Sequence, residues 1–261
     1  MTNHLIASGF HAVQTVLDWD PQRINNVWVD KNRSDTRIRS VLQQLSDNNI
    51  SVEYADKHTL DRLSENSNHQ GIVVKLSVAA MLTENELLSL LENINKPPLL
   101  LILDQIQDPH NFGACLRTAD AAGVDAVIIA KDNSVGFTPT VLKTSSGALD
   151  YVPVCRVTNL CRTIKTIQKK GVWVVGASDD GDQSIHDADL QGAVAIVMGS
   201  EHSGMRRLVR KACDFIVNIP MLGRVESLNV SVATGVVLYE VLRQRQNKPE
   251  RLSETNRQTR A

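Results

Sequence analysis

The chain has 261 residues, is 42% hydrophobic and 22% charged, and carries a formal net charge of −1. That is enough for one large or two modest soluble domains with a real core. It offers no chain-wide basic footprint for nucleic acid, and its 4% aromatic content leaves little for base-stacking platforms. The four cysteines, Cys115, Cys155, Cys161 and Cys213, form no CxxC pair, so neither a zinc site nor a thioredoxin-like site is expected. No apolar run approaches the roughly 20 residues that span a bilayer. The first residues, MTNHLIASGF, lack the pattern of a secretory leader, and the cytoplasm is the expected location.

From Asn26 onward, short β-rich runs alternate with helical patterns. Strands are predicted at 26–30, 50–55 and 71–76. A helix is predicted over 34–49, where Ile38, Val41, Leu42 and Leu45 share one face and Ser34 or Asp35 supplies the cap. Residues 1–76 thus read as a small α/β domain. Thr83 and Glu86 form a capping box ahead of a leucine-rich stretch that Pro97-Pro98 ends, so 77–98 reads as a helical linker. A second domain, 99–247, then offers six near-continuous apolar runs at 99–104, 125–130, 151–157, 172–177, 193–199 and 214–220. Such runs fit parallel strands covered on both faces, an α/β class with a parallel sheet. The last stretch, 248–261, is polar and aperiodic and is expected to be disordered; its four basic and two acidic side chains make it +2, against −3 for the rest.

In an open parallel sheet, ligands bind beyond the carboxyl ends of the strands. Three loops there are chemically unusual. In the first, DPHNFGACLRTA, Asp108 before Pro109 marks a helix start, and Arg117 sits among small and apolar residues where a guanidinium wants an anionic partner. In the second, MGSEHSGMRR, glycines permit close backbone approach, while Glu201 would repel a pyrophosphate, which disfavours a dinucleotide site. Arg206, Arg207, Arg210 and Lys211 follow as a basic cluster; a solvated face is the plain alternative to phosphate contact. In the third, IPMLGRVESLNVSVATG, Ser227 is a respectable N-cap and Asn229 can serve nearby backbone, so capping alone accounts for both. No metal-ligand cluster, GxSxG elbow or P-loop occurs, and no metal is expected.

Taken together, DPHNFGACLRTA, IVMGSEHSGM and IPMLGRVESLNVSVATGVVLYE resemble the three motifs of the SpoU (TrmH-like) branch of the SPOUT RNA ribose 2'-O-methyltransferases. The stretches GFHAVQTVLDW, VWVDKNRSDTRIRSVLQQL and HQGIVVKL resemble the L30e-like RNA-binding domain found in bacterial 23S rRNA guanosine methyltransferases of that branch. The resemblance implies a C-terminal sheet closed by a deep trefoil knot and a homodimer with its site at the interface. It implies S-adenosylmethionine as cofactor and ribosomal RNA as partner, with a tRNA or another rRNA site as the alternative, or a non-catalytic RNA-binding relative. It places Asn111, Arg117, Glu201, Ser227 and Asn229 in the catalytic set. Met198, Gly199, Ile219, Met221 and Leu228, with Ser227 and Asn229, would hold the cofactor. Ser231 is left as structural. RNA would be gripped by Lys31, Arg33, Arg37 and Arg39 of the first domain and by Arg206 and Arg207 of the second. Methyl transfer to a hydroxyl needs alignment and removal of one proton. An arginine is an awkward base because it stays protonated below pH about 12. Arg117 is therefore either a desolvated base or a charged clamp for phosphate and developing alkoxide.

Overall fold

The computed structural model describes residues 2–201 and 203–246, so the predicted disordered segment 248–261 lies outside the described residues. The first half is a four-stranded sheet in the order β1-β4-β2-β3, built from β1 (Thr2–Ser8), β2 (Ile24–Asp30), β3 (Val52–Ala55) and β4 (Ile72–Ala79). Helices α1 (Phe10–Trp19), α2 (Thr36–Asp47) and α3 (Lys57–Leu63) connect these strands. α2 starts two residues later than the periodicity indicates because Asp35 caps it, its carboxylate accepting from the Arg37 and Ile38 amides at 3.0 and 3.2 Å. Ile38, Val41 and Leu45 are its buried face, as their spacing requires.

β4 runs on to Ala79, so Ser77 to Ala79 belong to the first sheet rather than to a linker. Next comes α4 (Glu84–Asn93), whose capping box is formed: the Glu86 amide donates to the Thr83 hydroxyl at 3.3 Å, and the Thr83 amide to the Glu86 carboxylate at 2.7 Å. Just before α4, Leu82 exchanges backbone hydrogen bonds with Val154 and Arg156, so this segment is laid along the second sheet.

The second half holds β5 (Leu99–Leu103), α5 (Pro109–Ala121), β6 (Ala126–Ala130), α6 (Pro139–Ser145), β7 (Val154–Val157), α7 (Leu160–Gln168), β8 (Trp173–Ala177), β9 (Gln183–Ser184), β10 (Val194–Met198), α8 (Arg207–Ala212), β11 (Phe215–Asn218) and α9 (Val230–Gln246). Seven strands form one sheet in the order β7-β6-β5-β10-β8-β11-β9, and each pairing is parallel. Every residue of β5, β6 and β10 is buried, which is why those strands read as unbroken apolar runs. β7 is shorter than its apolar run because Tyr151 stays exposed and the chain turns at 148–150 before Pro153.

The two halves are fastened to each other. α1 packs on α6, and Arg23 ion-pairs with Asp20 at 2.9 Å and with Asp150 across the boundary. α5 is the hub of the second half. A methyl group on Gly113 would stand 2.6 Å from Thr144 Cβ, so this glycine sets the close approach of α5 to α6. On its other flank, the Cys115 thiol and the Thr234 hydroxyl of α9 lie 3.5 Å apart, both fully buried. Burial pushes that thiol up to about 11, so it stays neutral packing.

Candidate methyl-transfer site

At the carboxyl ends of β5, β10 and β11 the three unusual loops meet. Asp108 caps α5 through the His110 and Asn111 amides. Asn229 caps α9: its Oδ1 accepts from the Ser231 and Val232 amides at 3.0 and 3.4 Å and from the Ser231 hydroxyl at 2.6 Å. The cap is therefore Asn229 and not Ser227, which is exposed and makes no hydrogen bond with any described residue. Ser231 is structural, as expected, with its hydroxyl committed to the cap.

With Oδ1 spent on the helix, Asn229 has two amide protons left. One goes to Asn111 Oδ1 at 3.0 Å and the other to Glu201 Oε1. The same Glu201 oxygen accepts from the Val230 amide at 3.3 Å. A carboxylate thus sits on the first turn of α9, where the helix dipole favours it. One residue from each loop closes into a single network: Asn111, Glu201 and Asn229.

This network stands between two open compartments. The larger, about 740 Å³, is lined by Met198, Gly199, Ile219, Met221, Ser227 and Leu228 together with Asp180, Arg207 and Arg210. The smaller, about 400 Å³, is lined by Gln105, Gln107, Asp108 and Asn111. Ser200, Glu201, Ser203 and Val230 line both. Asn229 itself lines neither, and touches them through Asn111 and Glu201.

The larger compartment has two unlike walls. The loop after β10 is sewn up: Ser200 and Gly204 exchange backbone hydrogen bonds at 3.1 and 2.9 Å. A methyl group on Gly199 would lie 2.2 Å from the Gly204 carbonyl carbon, so the glycine admits the protein's own backbone. The root of this loop is pinned to Asp104, which is fully buried at the end of β5. Its carboxylate takes the Arg206 amide at 2.8 Å and the Arg206 guanidinium at 2.8 and 2.7 Å. The opposite wall, residues 219–228, makes no hydrogen bond to any other described residue. Ten consecutive residues with unpaired backbone, half of them facing a cavity, are a cradle for a ligand rich in donors and acceptors. Met198, Ile219 and Leu228 add apolar surface for a flat ring. The donor set fits an adenosyl group, read by backbone and packed by aliphatic side chains.

The basic residues part company. Arg117 is exposed on α5, lines neither compartment and has no partner among the described residues, so the sequence-based picture of a hemmed-in guanidinium does not hold within one chain. Arg206 is committed to Asp104 and Arg210 to Asp180 at 2.7 Å, whereas Arg207 is exposed and lines the larger compartment. In the first half, Arg33 pairs with Asp35, donates to the Gln70 carbonyl and lies over the Phe10 ring at 4.7 Å. Arg37 covers the same ring at 4.5 Å. Lys31 and Arg39 are exposed, and their side chains make no hydrogen bond or ion pair with any described residue. Sequence reasoning missed Asp104; its signal was a lone carboxylate ending an otherwise apolar strand.

A parallel sheet with a composite site at its carboxyl edge defines a class. Residues 98–239 match the SpoU rRNA Methylase family, and residues 6–80 match the substrate-binding unit of RNA 2'-O ribose methyltransferases. The chain belongs to the SpoU rRNA methylase family of RNA 2'-O ribose methyltransferases. It is 50% identical over 238 residues to the 23S rRNA (guanosine-2'-O-)-methyltransferase RlmB of Coxiella burnetii, covering 91% of this chain and 95% of that one. To the protein of the same name from Pseudomonas putida it is 47% identical over 240 residues, covering 92% and 96%. Its fold matches the SpoU methyltransferase AviRb of Streptomyces viridochromogenes, solved with AdoMet, with a TM-score of 0.62, 23% identity and coverage of 94% and 91%.

Proposed function

We propose that the chain transfers a methyl group from S-adenosylmethionine to the ribose 2'-hydroxyl of a guanosine in 23S ribosomal RNA, in the cytoplasm. The observation that carries this is the Asn111–Asn229–Glu201 network standing between the two compartments. The larger compartment, with its unpaired backbone at 219–228, suits the cofactor, and the smaller suits the nucleotide. The bound cofactor supplies an electrophilic methyl on a sulfonium that leaves as a neutral thioether. The chain's own task is alignment: Glu201 and Asn229 lock the start of α9 against α5, which fixes the line between the compartments. No group of three or more His, Cys, Asp or Glu side chains among the described residues is placed to hold a metal ion.

Arg117 is the best candidate to meet the target phosphate and the developing alkoxide, because its five donors are unspent. It reaches neither compartment of its own chain, which supports a site completed by a second copy. α9 offers a surface for that copy: Val232, Val236 and Tyr239, at i, i+4 and i+7, are 53%, 36% and 53% exposed. A deep knot is the further reading of the 178–185 segment. It holds β11 through Ser178, Ile185 and the Asn218 carboxamide, and a methyl on Gly181 would lie 2.4 Å from the Val217 carbonyl carbon. In this scheme residues 1–79 grip RNA, with the exposed Lys31 and Arg39 as their cations, 80–98 link, and 99–247 catalyse.

Mixing two inactive variants tests this arrangement. Arg117→Ala and Asn229→Ala should each lower turnover by about 100-fold or more while still binding cofactor. Co-refolded together they should regain methylation, because one of the two sites in a mixed dimer is intact. Absence of any regain, with mixed dimers shown to form, would mean that each chain builds its site alone.

A further inference from the structure

We infer that the smaller compartment is a nucleobase subsite in which the Gln105 carboxamide reads the edge of the target guanine. This rests on the methyl-transfer reading above and adds the residue that reads the base, with Asn111 setting which base it accepts.

Gln105 follows β5 directly and holds a left-handed backbone, φ 62°. Glycine adopts that conformation freely, and Asn or Asp can compensate it locally; a glutamine gains nothing from it. Nor can it relax, because both neighbours are anchored. Asp104 is fully buried under the Arg206 fork. Ile106 is 4% exposed, and its carbonyl accepts from the Val135 amide at 3.0 Å. Such over-determination is how backbone strain persists, and it concentrates at ligand clamps.

What the strained backbone achieves is direction. Half-buried Gln105 lines the compartment of about 400 Å³ together with Gln107, Asp108 and Asn111. That volume is at the low end of small-ligand pockets, roughly 300–1,000 Å³. It suits one base rather than an extended ligand. The carboxamides of Gln105 and Gln107 hydrogen-bond to nothing among the described residues. A base seated there turns its ribose toward the shared wall of Ser200, Glu201, Ser203 and Val230, beyond which the cofactor compartment begins.

A carboxamide offers an acceptor beside two donors. Guanine presents O6 beside N1–H, so Gln105 Nε2 can donate to O6 while its Oε1 accepts from N1–H. Adenine reverses that order. The neighbouring Asn111 decides between them: its Oδ1 already accepts from Asn229, which leaves Nδ2 as a donor. A donor there favours a base carrying O6 over one carrying an amino group.

The test uses the full-length protein, an unmethylated 23S rRNA fragment containing the target guanosine, and the same fragment with inosine or adenosine at that position. Wild type should accept guanosine and inosine, which share O6 and N1–H, and reject adenosine. Gln105→Gly removes the amide and the strain together, so its melting temperature should hold or rise. Its kcat/KM on the guanosine fragment should fall about tenfold or more, and its guanosine-to-adenosine ratio should fall with it. Affinity for S-adenosylmethionine should not change. Gln105→Asn keeps an amide in a residue suited to the backbone and should retain part of the ratio. A wild-type ratio in Gln105→Gly, or rejection of inosine along with adenosine, would overturn the inference. Failure of wild type to methylate the guanosine fragment at all would instead remove the methyl-transfer reading, and this inference with it.

Discussion

The two walls of the larger compartment differ more than any other pair of neighbouring segments in the site. Residues 199–201 and 203–206 close on themselves through Ser200–Gly204 pairing and are bolted to buried Asp104 by Arg206. Residues 219–228 make no hydrogen bond to any other described residue. The first is a finished part whose glycine and charges serve the protein itself. The second has its polar groups left over, which makes sense where a ligand completes the fold of the wall.

The bolt is the place to break that contrast most forcefully. Asp104→Ala should destabilise the chain by roughly 3 kcal/mol, the low end for a broken buried ion pair because Arg206 still reaches solvent. Chemical denaturation reads this loss. It should also loosen 199–206 and weaken cofactor binding, erasing the difference between the walls. A variant as stable as wild type would show that the pair is ornamental.

A milder perturbation sharpens the contrast instead. Saturating S-adenosylmethionine should slow amide hydrogen exchange across 219–228 and leave the Ser200, Gly204 and Arg206 amides nearly unchanged, since these already have partners. No added protection across 219–228 would mean that the cofactor sits elsewhere.

The smallest effect lies at the far end of α9. Glu240 is 6% exposed, and the Arg243 guanidinium, with help from Gln244, holds its carboxyl down to about 2. Its folded value is depressed below an unfolded value of about 4.3. The stability it contributes is therefore present above pH about 4.3 and is lost as pH falls toward 2. Glu240→Gln should flatten that part of the acid-denaturation curve without altering methylation at neutral pH. An unchanged acid limb would assign the lost stability to other carboxylates.

The sequence made the second sheet easy to read because strands covered on both faces leave unbroken apolar runs, and β5, β6 and β10 are buried along their whole length. The ends of elements were harder. Of the two caps the sequence offered for α2, Ser34 and Asp35, it is Asp35 that starts the helix, and Asn229 rather than Ser227 caps α9, since either residue type satisfies the local rule. β1 and α1 went undrawn from pattern alone, although Phe10, Val13 and Val16 carry helical spacing. Within the site, Asn111, Glu201 and Asn229 were legible as chemistry, but their union in one network was not, because they lie far apart in the chain. The fates of the arginines were the least legible. Arg206 and Arg207 are adjacent, yet one is bound to Asp104 and the other faces the cavity, a difference set by helix phase and by a carboxylate about 100 residues earlier.

The central claim is methyl transfer to a guanosine ribose, and radiolabelled S-adenosylmethionine with unmethylated 23S rRNA tests it directly. After alkaline hydrolysis the label should remain in a single alkali-resistant dinucleotide that carries 2'-O-methylguanosine, and Arg117→Ala should leave it unlabelled. Label on a base, label at another nucleoside, or label from the wild-type protein in tRNA but not in 23S rRNA would contradict it.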